Sequence, residues 1–323
     1  MSRPPRVLAY GMGVDSTALL FELASRGEPP DLVLTADTGS DKPESYACLD
    51  RYIKPWLESH AIPFEMVRYQ PQRFKHWPPY YGIHGMALTN ATLPSISLGR
   101  HSCSLKYKKA PQDKFLAGWQ PAIEAWSTGQ RVIPLIGFDA SPRDTIRYAH
   151  ASTIADDLFE PRYPLREWGW DRMRCAARIE AEGVPVPHKS SCFLCLGMTP
   201  DELRALPRWC LRIIVLVEAR AAPRLRTVEG LWRTTSKSRP GRMTTFVRNE
   251  RLLEADEIDD IIANAPTELV ASRRRQLDRP SMSIRISQTG SAGSTLGGRP
   301  YDHCNLVVCG NGSAAQRPGT AWL

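Results

Sequence analysis

The sequence has no long apolar run. Its most hydrophobic stretch, within Leu211 to Val217, is interrupted by Arg212 and closed by Glu218, well short of the roughly 20 apolar residues that a membrane-spanning helix needs. Nothing near the start resembles the charged, apolar and small-residue succession of a secretory signal. The expectation is a soluble, cytoplasmic chain with no membrane partner, whose eight cysteines are reduced thiols or metal ligands rather than disulfides. Internal repeats are missing too, and no Gly-Lys-Ser/Thr follows a glycine loop, which excludes a Walker-type phosphate site.

What the sequence does contain begins at Val7-Leu8-Ala9-Tyr10-Gly11-Met12-Gly13-Val14-Asp15-Ser16-Thr17. A short apolar run enters a glycine-containing turn, and Asp-Ser-Thr opens an amphipathic helix. That is the layout of a strand whose following loop holds phosphate at a helix N-terminus. Gly11 and Gly13 allow close backbone approach, while Ser16 and Thr17 can add hydroxyl donors. A plain strand-turn-helix with Asp15 as cap would read the same way if the motif stood alone.

Two further segments repeat the pattern. Asp31 to Gly39 reads as a second buried strand ending in Asp37-Thr38-Gly39, with Lys42-Pro43-Glu44-Ser45 starting a helix. Arg131 to Ala140 reads as an apolar strand that delivers Gly137 to the carboxyl edge of a sheet, where open α/β sheets place ligands. Arg143 and Arg147 follow and can grip anionic oxygen bidentately, or form a solvated helix face paired with Asp139 and Asp144. Among the cysteines, Cys192 and Cys195 make the one CxxC pair. Two thiolates on such a turn serve a metal, a cluster or a redox dithiol, although two ligands rarely suffice for a metal. Cys48, Cys175 and Cys210 occupy apolar helix positions and read as core.

These segments, in this order over about residues 5 to 210, resemble the PP-loop ATP pyrophosphatases of the phosphoadenylylsulfate (PAPS) reductase-like group. Tyr10 to Ser16 stands for their Ser-Gly-Gly-x-Asp-Ser loop, departing from it at Tyr10 and Met12. The resemblance implies an α/β fold with a doubly wound parallel sheet, and ATP held by Tyr10, Gly11, Gly13, Asp15, Ser16, Thr17, Asp37, Thr38 and Gly137. Mg²⁺ would bridge phosphate oxygens with help from Asp15 or Asp37, and Asp15, Ser16, Lys106 and Arg143 would carry the chemistry. The implied activity is cleavage of ATP between its α and β phosphates, adenylating an acceptor for sulfur transfer. Nucleic acid or a nucleotide would be the acceptor and a sulfur-donor protein the partner. Two alternatives are a reductase of adenylylsulfate or phosphoadenylylsulfate, whose C-terminal cysteine motif is missing at Cys309-Gly310, and an ATP-sensing module without turnover. Cys103 and Lys106 lie close to the register of the Cys-Cys-x-x-x-Lys segment of iron-sulfur reductases, with Ser102 replacing the first cysteine. By that resemblance Cys103, Cys192 and Cys195 would hold a 4Fe–4S cluster, or a zinc completed by His101 or His188.

The remainder is coarser. Residues 1–210 are expected to form the nucleotide-binding domain and 211–323 a mainly helical, basic extension. Residues 70 to 100 read as a long aromatic loop over the site, and Glu250 to Asn264 as an acidic helix. The net charge is +8, and Arg220, Arg224, Arg226, Arg233, Lys237, Arg239, Arg242, Arg248 and Arg251 concentrate it around Trp232 and Phe246. Such a stretch can track a phosphate backbone and stack a base, or pack around ATP or a partner protein. Arg273-Arg274-Arg275 is a basic knot, 281 to 300 a Ser/Gly/Thr-rich linker, and Cys304 and Cys309 have no assigned role.

Overall fold

A computed structural model describes residues 3–100 and 102–271. The strands are β1 (Arg6–Ala9), β2 (Leu32–Asp37), β3 (Phe64–Arg68), β4 (His76–Trp77), β5 (Ile133–Leu135) and β6 (Val270–Ala271). Four of them form a parallel sheet in the order β3-β2-β1-β5, while β4 and β6 pair antiparallel. Successive side chains on the inner strands enter different cores. Val7, Leu32 and Leu34 pack with Leu116, Phe138 and Tyr163, whereas Leu8 and Val33 pack with Leu19, Leu20 and Ile179. Covering both faces is what makes these strands read as unbroken apolar runs.

Strand order then fixes where a ligand can sit. The chain winds from β1 outward to β3 and then returns to place β5 on the other side of β1. Loops leaving the carboxyl ends of β1 and β5 diverge at that reversal and leave a crevice. The helix α1 (Val14–Ser25) leaves the crevice on one side, and Gly137 approaches it from the other.

A second hydrophobic cluster surrounds the helix Arg208–Ala221. It gathers Ile83, Tyr107 and Phe193 from earlier in the chain and Met243, Phe246 and Ile258 from later. Residue 210, the boundary drawn from composition, therefore falls within a helix at the centre of one shared core. Residues 70–100 are not one loop: they contain the helix Ile83–Thr89 and a 3₁₀ turn at Ser95–Leu98. The acidic helix spans Ala255–Ala263, starting later than its charge pattern suggested. Arg273 to Arg275, the linker, Cys304 and Cys309 lie outside the described residues.

Glu218 holds this second core together. Its carboxylate is 3% exposed and accepts the amides of Leu231, Met243 and Thr244 at 2.7, 3.0 and 2.8 Å, so it closes the N-terminus of the helix Met243–Asn249. Truncation leaves three buried amides unpaired, and Glu218→Ala should cost about 2–4 kcal/mol. Denaturant unfolding measures this, and a loss below about 0.5 kcal/mol would contradict the role.

Candidate active site

The crevice is a cavity of about 660 Å³, within the range of small-molecule sites. Tyr10, Gly11, Gly13, Asp15, Ser16, Thr38, Gly137, Arg143, Cys103, Cys192 and Cys195 all border it. Three of the residues expected there do not. Thr17 is fully buried, with its hydroxyl on Gly13 O and the Tyr10 hydroxyl. Asp37 accepts from Tyr46, Gly39 and Arg68, because β2–β3 pairing sets Arg68 directly beside it. Those contacts outweigh the burial that would raise its pKa and hold the carboxyl below its usual value. Lys106 faces a different cavity.

The loop before α1 is shaped by its own hydroxyl. Ser16 Oγ accepts the amides of Gly11 and Gly13 at 3.3 and 3.4 Å and donates to Gly13 O at 3.1 Å. Met12 takes φ 55°, a left-handed conformation that disfavours a side chain by about 1–2 kcal/mol. Burying that side chain in the core beside Tyr10 and Val14 offsets the strain. The first-turn amides of α1 have no carbonyl one turn back and face the crevice with the positive end of the helix dipole.

Charge of both signs surrounds the loop. Asp15 pairs with Arg172 at 2.8 Å, yet its Oδ1 is buried without a partner among the described residues. Burial raises its pKa to about 6, Arg172 opposes that, and Asp139 and Asp144 add to it. Lys108 and Lys189 border the same cavity. Sequence reasoning missed both lysines, along with Arg172 and Asp139. Lys108 was findable, since Ser104, Lys108 and Gln112 recur at helical spacing and all line the cavity.

The CxxC turn reaches the site by pairing its backbone with the loop after β2. Asp41 and Cys192 form an antiparallel bridge, with Lys42 N to Ser191 O at 3.1 Å and Phe193 N to Ser40 O at 2.9 Å. Phe193 and Leu194 sink into the second core. Glu202, in a capping box with Thr199, accepts Lys42 at 2.9 Å and Lys189 at 3.2 Å. Burial alone would raise its pKa, but the Thr199 amide and the two lysines hold it at about 2. Cys192 Sγ accepts the Leu194 amide at 3.3 Å, and Cys195 Sγ the Gly197 amide at 3.4 Å. Burial pushes the Cys192 thiol well up.

Cys103 borders the same cavity and bonds Ser95 Oγ at 2.9 Å. Among the described residues, however, no three His, Cys, Asp or Glu side chains converge closely enough to hold a metal ion. His188 is exposed and does not line the cavity, and His101 lies outside the described residues. The three thiols share a wall without forming the expected cluster or zinc site, and no step below runs through a metal held by them.

The basic stretch also differs from expectation. Trp232 and Phe246 are 2% and 7% exposed and pack edge to face inside the second core, where no base can reach them. Arg220, Arg224, Arg239 and Arg242 donate to the carbonyls of Leu88, Thr267, Met198 and Glu229, and Arg248 pairs with Asp259.

No protein-family model and no curated protein matches the chain. Among solved structures it is similar to the U34-tRNA thiolase NcsA from Methanococcus maripaludis with its 4Fe–4S cluster, at 12% identity and a TM-score of 0.32, over 79% of this chain and 83% of that one. A likeness that distant carries no weight for the chemistry of this site.

Two outcomes follow from the geometry. A Cβ on Gly137 would lie 3.0 Å from Ser16 N and 3.1 Å from the Asp15 carbonyl carbon, whereas one on Gly13 would meet only the Ser190 side chain, its Oγ at 2.7 Å. Backbone cannot swing aside as a serine can, so Gly137→Ala should lose about 1–3 kcal/mol and Gly13→Ala less, compared by denaturant unfolding. The reverse order would contradict the packing.

Asp15 makes the protein less stable as pH rises, because a carboxyl whose folded pKa exceeds the unfolded value disfavours its ionised form. The loss develops from pH about 4 to about 6. Asp15→Asn should therefore gain about 1–2 kcal/mol over wild type at pH 8 and little at pH 3, below both pKa values. Equal effects at both pH values would refute the burial cause.

Proposed function

We propose that this chain is an ATP-dependent adenylating enzyme of the PP-loop kind that transfers sulfur to a nucleic acid or nucleotide acceptor. One observation carries the reading: the glycine turn at the N-terminus of α1, capped by Gly137 at the strand-order reversal, opens into the same cavity as Cys103, Cys192 and Cys195. In this reading the first-turn amides of α1 hold the β and γ phosphates, and their fixed dipoles stabilise the charge that grows on departing pyrophosphate. Lys108 and Arg143, which have no ion pair among the described residues, take the α phosphate. The unpartnered Oδ1 of Asp15 fits a magnesium ion, which when bound neutralises phosphate charge. The acceptor oxygen displaces pyrophosphate from the α phosphorus, and a sulfur nucleophile from the thiol wall then displaces AMP.

The acceptor enters beside the helices Pro142–Ala151 and Arg172–Ala181. Ile146 and Met173 are 76% and 80% exposed there, flanked by Arg143, Arg147, Arg172 and Arg174. Apolar contacts for a base set among guanidiniums for phosphates suit a nucleic acid strand. The basic stretch from Arg220 to Arg251 is not needed for this, since its arginines are mostly committed within the fold.

Product analysis tests the reading. With magnesium, ATP, a sulfur source and RNA, DNA or nucleoside probes, AMP and pyrophosphate should form in equal amounts. ADP with inorganic phosphate would contradict it.

A further inference from the structure

Cys103 has a second face. Behind it lies a separate cavity of about 220 Å³, below the size of ordinary cofactor or drug-sized sites. Among the described residues, Cys103 alone lines both cavities. The smaller one is also bordered by Ser95, Arg100, Ser102, Lys106 and Tyr107, and no carboxylate is among the described residues that line it.

Two features indicate that this space is prepared for an anion. Lys106 Nζ sits 4.9, 5.3 and 5.3 Å from the ring centres of Tyr69, Tyr80 and Tyr107, held by aromatic faces without an ion-pair partner among the described residues. Tyr107 is 1% exposed, and its hydroxyl has no hydrogen-bond partner among the described residues. A buried hydroxyl left unpaired is costly unless a ligand takes its proton. Ser95 Oγ already accepts the Cys103 amide at 3.1 Å, so its own proton is available to the sulfur at 2.9 Å.

We propose that this second cavity binds a small anionic donor of sulfane sulfur, of the thiosulfate class, and loads Cys103 for the transfer described above. The inference rests on the sulfur-transfer reading, but its chemistry needs no ATP. The Cys103 thiolate attacks the outer sulfur of thiosulfate, and a sulfur–sulfur bond forms at Cys103. The donor's own sulfur–sulfur bond breaks, with its electron pair leaving on sulfite. One sulfur moves, charge is conserved, and no external oxidant or reductant takes part. The persulfide on Cys103 then stands on the wall of the nucleotide cavity, while spent sulfite leaves from the opposite side.

The test uses the full chain, without ATP, under anaerobic conditions, with thiosulfate labelled in its outer sulfur. Sulfite should be released, and one label per chain should map by mass spectrometry to Cys103. Cys103→Ser should take up none while keeping the thermal unfolding midpoint of the wild type. Arg100→Ala with Lys106→Ala should raise the half-saturating thiosulfate concentration by about tenfold, as loss of charge-assisted contacts does. The proposal is overturned by absence of label, by label on Cys192 or Cys195, or by saturation that the double variant leaves unchanged. Because ATP is absent, any of these failures leaves the pyrophosphate reading untouched, and failure of that reading shows separately in the nucleotide products.

Discussion

The close approach of Gly137 to the backbone of Asp15 and Ser16 is the constraint on which the rest of the site depends. It occurs because β5 returns to the far side of β1, so the loops leaving those two strands face one another across the sheet edge. A side chain at 137 would fill the space between them. With that contact in place, the turn before α1 has little freedom. Ser16 is drawn back onto the amides of Gly11 and Gly13, and Met12 is held in a conformation that suits glycine better. The strain is supported by core packing, as expected where a backbone is shaped for a ligand.

Around this backbone frame the charges are arranged at some expense to stability. Asp15, Asp139 and Asp144 lie near one another, and one Asp15 oxygen is buried without a partner among the described residues. Arg172 compensates only in part. The thiol side of the cavity is built differently. Lys42, Lys189 and Glu202 satisfy each other, and the CxxC turn is fastened by backbone pairing and by Phe193 in the second core. The glycine-turn side therefore holds unsatisfied charge that a ligand can relieve, while the thiol side is held mainly by ion pairs and backbone pairing.

Much of this was legible in the sequence. The three strand-loop segments, Gly137 and the glycine turn all appear where the residue pattern puts them, because each is specified by local turn and cap chemistry. The misses share a different cause: each depends on a partner distant in the chain or on which of two cavities a helix face meets. Asp37 looked free because nothing in the sequence says that β3 will set Arg68 beside it. Lys106 and Cys103 are three residues apart and should share a face. They do, but that face borders the smaller cavity, and Ser104, Lys108 and Gln112 line the larger one instead. The arginines from 220 to 251 read as a surface for nucleic acid, ATP or a partner protein because intramolecular carbonyl partners leave no trace in composition. The helix Arg208–Ala221 spans residue 210 within one core for a similar reason, since a shared core is a property of packing and not of charge.

Amide hydrogen exchange with and without ATP and magnesium tests the central claim most directly. If the α1 N-terminus holds the nucleotide's phosphates, exchange should slow at the amides of Gly11 through Ser16 and of Phe138 and Asp139, which share one wall of the cavity. Protection confined to other segments, such as the helix Met243–Asn249, with the glycine turn unchanged, would contradict it.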